Sequence, residues 1–377
     1  MFKRLKRKIK QGPYAIRDLY FGKGRFEAKF QNIIEFFPKR VQPQPGKMLR
    51  LLYCKGPYDY SEPRRGISAE EISFLHTLIN MPIDVIRIDP DKNIKRFGRK
   101  GFVEILKEVA YWYSPDVAFF SEMNDKYIEA IQYISDQTET VTFNWTCDDQ
   151  WAFDNYTGPI AKYFNYVVTT DPEGIKKYES IKYRNALHGM WGCNHFLFRP
   201  LSRNKILDIV FIGQIYGYRE DILRYLKKNG IKVSIFGFGA KAGRLTFSEM
   251  VKVISGAKIC LNFSGGSDGK TLQIKSRNFE VPGCGTLLLT EYVPGIEKYY
   301  EIGTEIDCWR KREELLEKVQ TLLMERNRVS LISKAGYKRT IREHTYIHRF
   351  CDLFEIMNVE NARNLRQICI DFNLLPK

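Results

Sequence analysis

Residues 277–292 read RNFEVPGCGTLLLTEY. An acid, Glu280, stands directly before a Pro-Gly-Cys-Gly turn, and the turn feeds a run of leucines. A short, uninterrupted apolar run of this kind reads as a strand buried on both faces, as in a parallel sheet. The residues around Phe279 read as a helix. Helix, tight turn and doubly buried strand together make one crossover of an α/β fold.

The same unit repeats outward in both directions. Upstream, DIVFIG (208–213) and VSIFG (233–237) read as strands, separated by the helical REDILRYLKKNG (219–230), which ends at Gly230. LTFSEMVKVISGA (245–257) is a helix with Thr246 and Glu249 at capping-box spacing and Leu245 and Met250 at staple spacing, and ICLNF (259–263) is a strand. Downstream, Leu315, Leu316, Val319, Leu322 and Leu323 share one face of a helix over 312–324. The amino half alternates likewise: MLRLLYC (48–54), DVIRID (84–89), DVAFF (116–120), VTFNW (141–145) and YVVTT (166–170) are strands with helical stretches between them. Its first helix, ISAEEISFLHTLI, carries a second capping-box pair in Ser68 and Glu71. A later helix opens on Asp171 as N-cap, with Pro172 at its first position. The expectation is an α/β chain with two Rossmann-like, doubly wound domains, 48–200 and 201–345, divided by the polar hinge FRPLSRNK. A basic arm, 1–47, precedes them, and a helical segment, 346–377, follows. The two sheets are expected to face each other across a cleft lined by their carboxyl edges, where ligands of open α/β sheets bind.

Charge is unevenly placed. The chain carries +16, and residues 1–47 hold eight Lys and five Arg against Asp18, Glu27 and Glu35, a net +10 on that arm alone. A nucleic-acid reader would be expected to show its basic footprint on a folded face with groove-reading or base-stacking elements, and no such module is legible; nucleic acid is excluded as the expected partner. MFKRLKRKIK alternates bulky apolar and basic residues, which suits peripheral contact of residues 1–12 with an anionic membrane or, equally, a solvated tail. No run approaches the ~20 apolar residues of a spanning helix and no secretory pattern opens the chain, so a cytoplasmic protein is expected. Eight cysteines without a C-x-x-C pair read as reduced thiols. His344 and His348 share a helical spacing without a third ligand nearby, and no metal is expected.

Two glycine-containing stretches carry candidate chemistry. In DIVFIGQIYGYRED, Gly213 and Gly217 occupy a strand-to-helix turn of the kind that brings backbone amides to a phosphate, or simply a turn. In SGGSDGKTLQIKSRNFE (264–280), Lys270, Lys275 and Arg277 crowd beside Glu280 and can neutralise a diphosphate leaving group. In the first half, Asp148 and Asp149 follow the strand VTFNW at its carboxyl edge. There a carboxylate can accept a proton from a hydroxyl, or cap the next helix. Tyr58, Tyr60, Arg64, Arg65 and Gly66 belong to the first strand-helix loop, where an acceptor or diphosphate can be touched. His188 is a further candidate base.

EVPGCGTLLLT, followed by EYVPGIEKYYEIGTEI and AGYKRTIREHTYIHRF, resembles the carboxyl half of GT-B glycosyltransferases, in particular the spore-maturation CgeB-like group. FIGQIYGYRED is similar to that group's strand-turn motif. NWTCDDQW (144–151) and MWGCNHFLF (190–198) resemble its paired aspartates and interdomain crossover. The resemblance spans about 48–350. It implies a GT-B fold in which the helical segment 346–377 packs back on the first domain, and transfer of a sugar from a nucleotide diphosphate-sugar to a hydroxyl of a glycan, lipid-linked saccharide or protein, with no cofactor and no metal. It assigns the ribose hydroxyls to Glu280, with Pro282, Gly283, Cys284 and Gly285 making room for the ligand. Gly213, Tyr216, Gly217 and Arg219 join Lys270, Lys275 and Arg277 in the donor set, and Asp149, before Asp148, is the implied base. Where many retaining relatives have another Glu, this chain has Leu272, with Gln273 or Asp268 as substitutes; the donor sugar and the stereochemical outcome stay open. The alternative is a non-catalytic nucleotide- or sugar-binding protein of the same fold.

Overall fold

The computed structural model describes residues 49–201, 204–266 and 271–376, without the side chains of Tyr60 and Arg64. The basic arm 1–47, Asp268 and Lys270, and the side chains of Tyr60 and Arg64 therefore lie outside what is described.

The described residues form two compact units, 49–190 with 346–376, and 191–345 apart from the gaps given above. The first is built on six strands: β1 (Arg50–Cys54), β2 (Asp84–Ile88), β3 (Val117–Phe120), β4 (Val141–Thr146), β5 (Tyr166–Thr169) and β6 (Ala186–His188). All pair in parallel, in the order β2-β1-β3-β4-β5-β6. Its helices include α1 (Pro90–Tyr113), α2 (Ile128–Gln137) and α3 (Gly174–Ser180). The sequence pattern places a helix only over 101–113; the observed α1 starts eleven residues earlier, after an Asp89 cap, and bends at Gly98, whose φ of 70° interrupts the helix.

The second unit repeats the plan with β7 (Leu207–Ile212), β8 (Ser234–Phe236), β9 (Ala257–Asn262), β10 (Leu287–Glu291) and β11 (Asp307–Trp309), again all parallel, in the order β11-β10-β9-β7-β8. Between and after these strands run α4 (Tyr218–Lys228), α5 (Phe247–Ser255), α6 (Arg277–Gly283), α7 (Arg312–Met324) and α8 (Arg326–Glu343). Leu287, Leu288 and Leu289 are fully buried, as a strand covered on both faces requires. The Thr246 capping box of α5 forms in full, Thr246 N–H donating to Glu249 at 2.8 Å and Glu249 N–H to Thr246 Oγ1 at 3.3 Å. The Ser68 box forms only by half: Glu71 N–H reaches Ser68 Oγ at 3.2 Å, but the Glu71 carboxylate turns to Arg87 instead, at 2.6 Å.

In each sheet the chain leaves the first strand for one neighbour and then crosses to the other side, so the switch points lie between β1 and β3 and between β7 and β9. Crevices at the carboxyl ends of such strand pairs are where open α/β sheets hold ligands. The chain closes within the first unit with α9 (Tyr346–Ile356) and α10 (Leu365–Asp371). Tyr346 meets Phe74, Phe350 lies against Phe74, Phe119 and Trp145, and Phe354 against Phe143. All are buried, and each such side chain contributes about 1.5–3 kcal/mol of transfer free energy, enough to hold a three-turn helix in place.

Candidate functional site

At the carboxyl edge of the second sheet, β7 runs into a turn that ends at Gly217, the N-cap of α4. Gly217 has φ 53° and ψ −136°, a conformation for which glycine is strongly favoured, and nothing lies within 4 Å of where a side chain would begin. The first turn of α4 carries Arg219, which is buried. Its Nη2 donates to the Gly265 carbonyl at 2.8 Å, its Nη1 to the Gln214 carbonyl at 3.1 Å, and its guanidinium stacks 4.2 Å over the Tyr216 ring. Lys275 Nζ donates to the same Gly265 carbonyl at 2.6 Å, and the Tyr216 hydroxyl approaches the Gly265 and Gly266 carbonyls at 3.4 and 3.3 Å. Two cations thus meet over one neutral oxygen at the switch point. Arg219 Nε is buried without a hydrogen-bond acceptor among the described residues. A buried donor without an acceptor, beside two cations, suits an anionic ligand.

Glu280 lies on α6 and is 6% exposed. Burial pushes its carboxyl above the ordinary range, against the opposing pull of Arg277 and a hydrogen bond from Ser276. Arg277 Nη1 stands 2.8 Å from Glu280 Oε2, without the alignment of a hydrogen bond, so that oxygen keeps accepting capacity. This corrects the expectation for Arg277, whose guanidinium is engaged by Glu280 and by Met250 Sδ at 3.4 Å.

The small residues of the turn also act differently from expectation. A side chain at Gly283 would come 2.4 Å from Cys193 Sγ, and one at Gly285, where φ is 66°, would come 3.1 Å from Pro200. The turn is small so that the chain packs on itself. Gly213 is similar: its N–H donates to the Phe236 carbonyl at 3.0 Å, and a Cβ there would meet the Phe211 ring at 2.9 Å. Its amide is spent within the fold. Glu291 is equally committed, accepting from Tyr218 OH at 2.6 Å and from Ser264 N–H at 2.8 Å.

In the first unit, Asp149 is fully buried and accepts hydrogen bonds from Thr157 at 2.5 Å, Tyr178 at 3.1 Å and Thr146. A carboxylate holding three hydroxyls at the foot of the 149–160 helical run is a structural acid. This geometry argues against the base role implied for it. Asp149→Ala should cost about 2 kcal/mol or more, because three buried hydroxyls lose an ionised acceptor; the urea midpoint should fall while nucleotide affinity stays unchanged.

Asp148, half-buried, instead lines a cavity of about 310 Å³ at the carboxyl edge of the first sheet, together with Lys55, Glu70, Asp91, Glu122 and Cys147. Tyr58 lines it too, whereas Arg65 and Gly66 do not; Arg65 pairs with Asp59 at 3.0 Å on the exposed rim. His188 ends the edge strand β6, away from the cavity lining. Lys55 and Glu122 escape notice in the sequence, although each sits at or just beyond the end of an apolar strand run. Among the described residues, no group of three acidic, His or Cys side chains is placed to hold a metal ion, and no helix is long and apolar enough to cross a membrane.

Residues 195–355 match the family model described as "Glycosyl transferase-like". No curated protein matches the chain in sequence. Several solved structures share its fold. A glycosyltransferase from Rickettsia africae aligns with 10% identity and a TM-score of 0.55 over 85% of this chain and 100% of its own. Sucrose-phosphate synthase from Thermosynechococcus elongatus gives 11%, 0.52, 82% and 98%. Anabaena HepE, solved with UDP and glucose, gives 10%, 0.53, 83% and 100%. The fold is that of GT-B glycosyltransferases: two Rossmann-like parallel-sheet units and a C-terminal helical segment.

Proposed function

We propose that the chain is a GT-B glycosyltransferase of the CgeB-like group that moves a sugar from a nucleoside-diphosphate donor to a hydroxyl of a glycan, lipid-linked saccharide or protein, without a divalent ion at the diphosphate. The glycosyltransferase family match and the GT-B neighbours, one of them holding UDP and glucose, support nucleotide-sugar transfer. The observation that carries the reading is the meeting of Arg219 and Lys275 at the Gly265 carbonyl, below the open Gly217 turn.

A diphosphate in that opening receives both cations, and its oxygens can approach the amide end of α4, where the helix dipole favours negative charge. When the bond between the anomeric carbon and the β-phosphate oxygen breaks, the electron pair stays on that oxygen. Arg219 and Lys275 then hold a larger charge than in the bound donor, and it is this difference that accelerates transfer. Glu280, with an oxygen still able to accept, takes the ribose hydroxyls.

The first test is nucleotide release from UDP-, GDP-, TDP- and CMP-linked sugars with and without EDTA. Release from at least one donor, undiminished by the chelator, is expected; none from any donor would leave only a binding protein. Glu280→Ala should weaken UDP, or the diphosphate selected in that panel, by about tenfold in titration calorimetry, the loss of one hydrogen-bonded charged acceptor. The 2′,3′-dideoxy analogue should bind wild type and variant alike. Equal affinity of both proteins for the ribose form would remove Glu280 from the site.

A further inference from the structure

The cavity at the carboxyl edge of the first sheet has chemistry that the donor reading does not use. Lys55 follows β1, Glu122 follows β3, and Glu70 enters the first helix, so the three converge on the β1/β3 switch point. Glu122 is fixed there by Asn144 on β4, whose Oδ1 accepts from its N–H at 2.8 Å and whose Nδ2 donates to its carbonyl at 2.9 Å. Tyr127, buried, lines the same cavity, its hydroxyl accepting from Cys54 Sγ at 3.7 Å.

The cation and the acids do not pair directly. Among the described residues, the Lys55 ammonium has no carboxylate within ion-pair distance and no hydrogen-bond acceptor, although it stands in a recess. Both acids line the same cavity as Lys55; burial acts to lower the Lys55 pKa, yet the fields of Glu70 and Glu122, with those of Cys147 and Asp91, outweigh this and raise it. A gap of this kind is filled by a group that accepts from an ammonium and donates to a carboxylate at once. Hydroxyls do both. A phosphate or carboxylate would be repelled by Glu70 and Glu122, and a protonated amine could not accept from Lys55. The volume, about 310 Å³, is at the small end for ligand pockets.

We infer that this cavity binds an uncharged polyol, a sugar ring offering adjacent hydroxyls to Lys55, Glu70 and Glu122, and that it excludes anionic sugars. That the ring is the acceptor of the transfer rests on the function proposed above; that it binds does not.

The experiment is ligand-observed NMR titration of the full chain, free of nucleotide, with methyl glycosides of glucose, galactose and mannose, and with glucosamine, glucuronate and glucose 6-phosphate. At least one neutral glycoside should bind, and the two anions should bind at least about tenfold more weakly, as expected for facing charges in place of a charged hydrogen bond. Lys55→Met should weaken the neutral ligand about tenfold, and Glu70→Gln/Glu122→Gln should admit glucuronate. The wild-type comparison needs no variant, so misfolding of a mutant cannot rescue the idea. No neutral glycoside bound, anions or glucosamine bound as tightly, or an indifferent Lys55→Met would overturn it. Titrating UDP and GDP into the same samples separates the two readings: sugar binding without nucleotide binding sinks only the donor assignment, and the reverse sinks only this one.

Discussion

On the proposed function, Arg219→Met should weaken binding of the nucleoside diphosphate by about a hundredfold, and turnover by more. The guanidinium can give the ligand its buried, acceptor-free Nε and, on small rotations, the donors now shared with the Gly265 and Gln214 carbonyls. Two charge-assisted hydrogen bonds at about 1.5–3 kcal/mol each set the scale. Because charge on the leaving oxygen grows as the glycosyl bond breaks, kcat should fall along with affinity, where a purely ground-state contact would move KM alone. Lys275→Met should behave alike but more weakly, since an ammonium acts on phosphate as a point charge. The double variant should lose less than the product of the two single effects. Arg219 and Lys275 share one carbonyl, so removing either relieves a repulsion felt by the other. Calorimetry with the diphosphate, beside initial rates of nucleotide release, reads both quantities. Multiplicative losses would mean that the cations act independently, and an unchanged diphosphate affinity in Arg219→Met would mean that the anion sits elsewhere.

The second unit was the more legible of the two because its chemistry is local in sequence. Gly217, Arg219 and Tyr216 occupy one turn and the start of one helix, and Lys275 and Glu280 one loop and the helix it enters. What the sequence could not tell was the direction of each charge. Arg277 and Lys275 are two residues apart, yet one turns to Glu280 and the other to Gly265, because Arg277 opens α6, one turn before Glu280, while Lys275 is still in the loop. The glycines misled for a related reason. A glycine allowed by a ligand and one required by a neighbouring chain look alike until Cys193 and Pro200 arrive beside Gly283 and Gly285. In the first unit the distances in sequence are greater. Asp149 is claimed by Thr157 and Tyr178, 8 and 29 residues away, and nothing in the CDDQ motif distinguishes it from Asp148, which lines the cavity. Lys55 and Glu70 stand at the two ends of one connection and Glu122 on another, and only the parallel sheet order, with β1 beside β3, brings the three together.

Breaking the Glu71–Arg87 pair should be among the most damaging single changes to the first unit. The two side chains are 0% and 4% exposed and meet at 2.6 Å between the first helix and β2. Removing one member leaves a buried charge without its counter-ion, which costs about 3–5 kcal/mol, whereas replacing both with apolar side chains of similar volume is often neutral or better. Glu71→Gln and Arg87→Met should each lower the urea midpoint of the first unit sharply, and Glu71→Leu/Arg87→Met should recover most of it. Recovery of stability should not bring recovery of function. Glu71 holds the turn in which its neighbour Glu70 faces the cavity, and Arg87 Nη2 reaches the Lys55 carbonyl at a long 3.5 Å. An apolar pair restores packing but leaves both cavity residues without this electrostatic anchor, so binding of a neutral glycoside should stay reduced while nucleotide affinity is normal. A double variant that regains stability and sugar binding together would show that the pair serves the fold alone; one that regains neither would show that its place admits no apolar substitute.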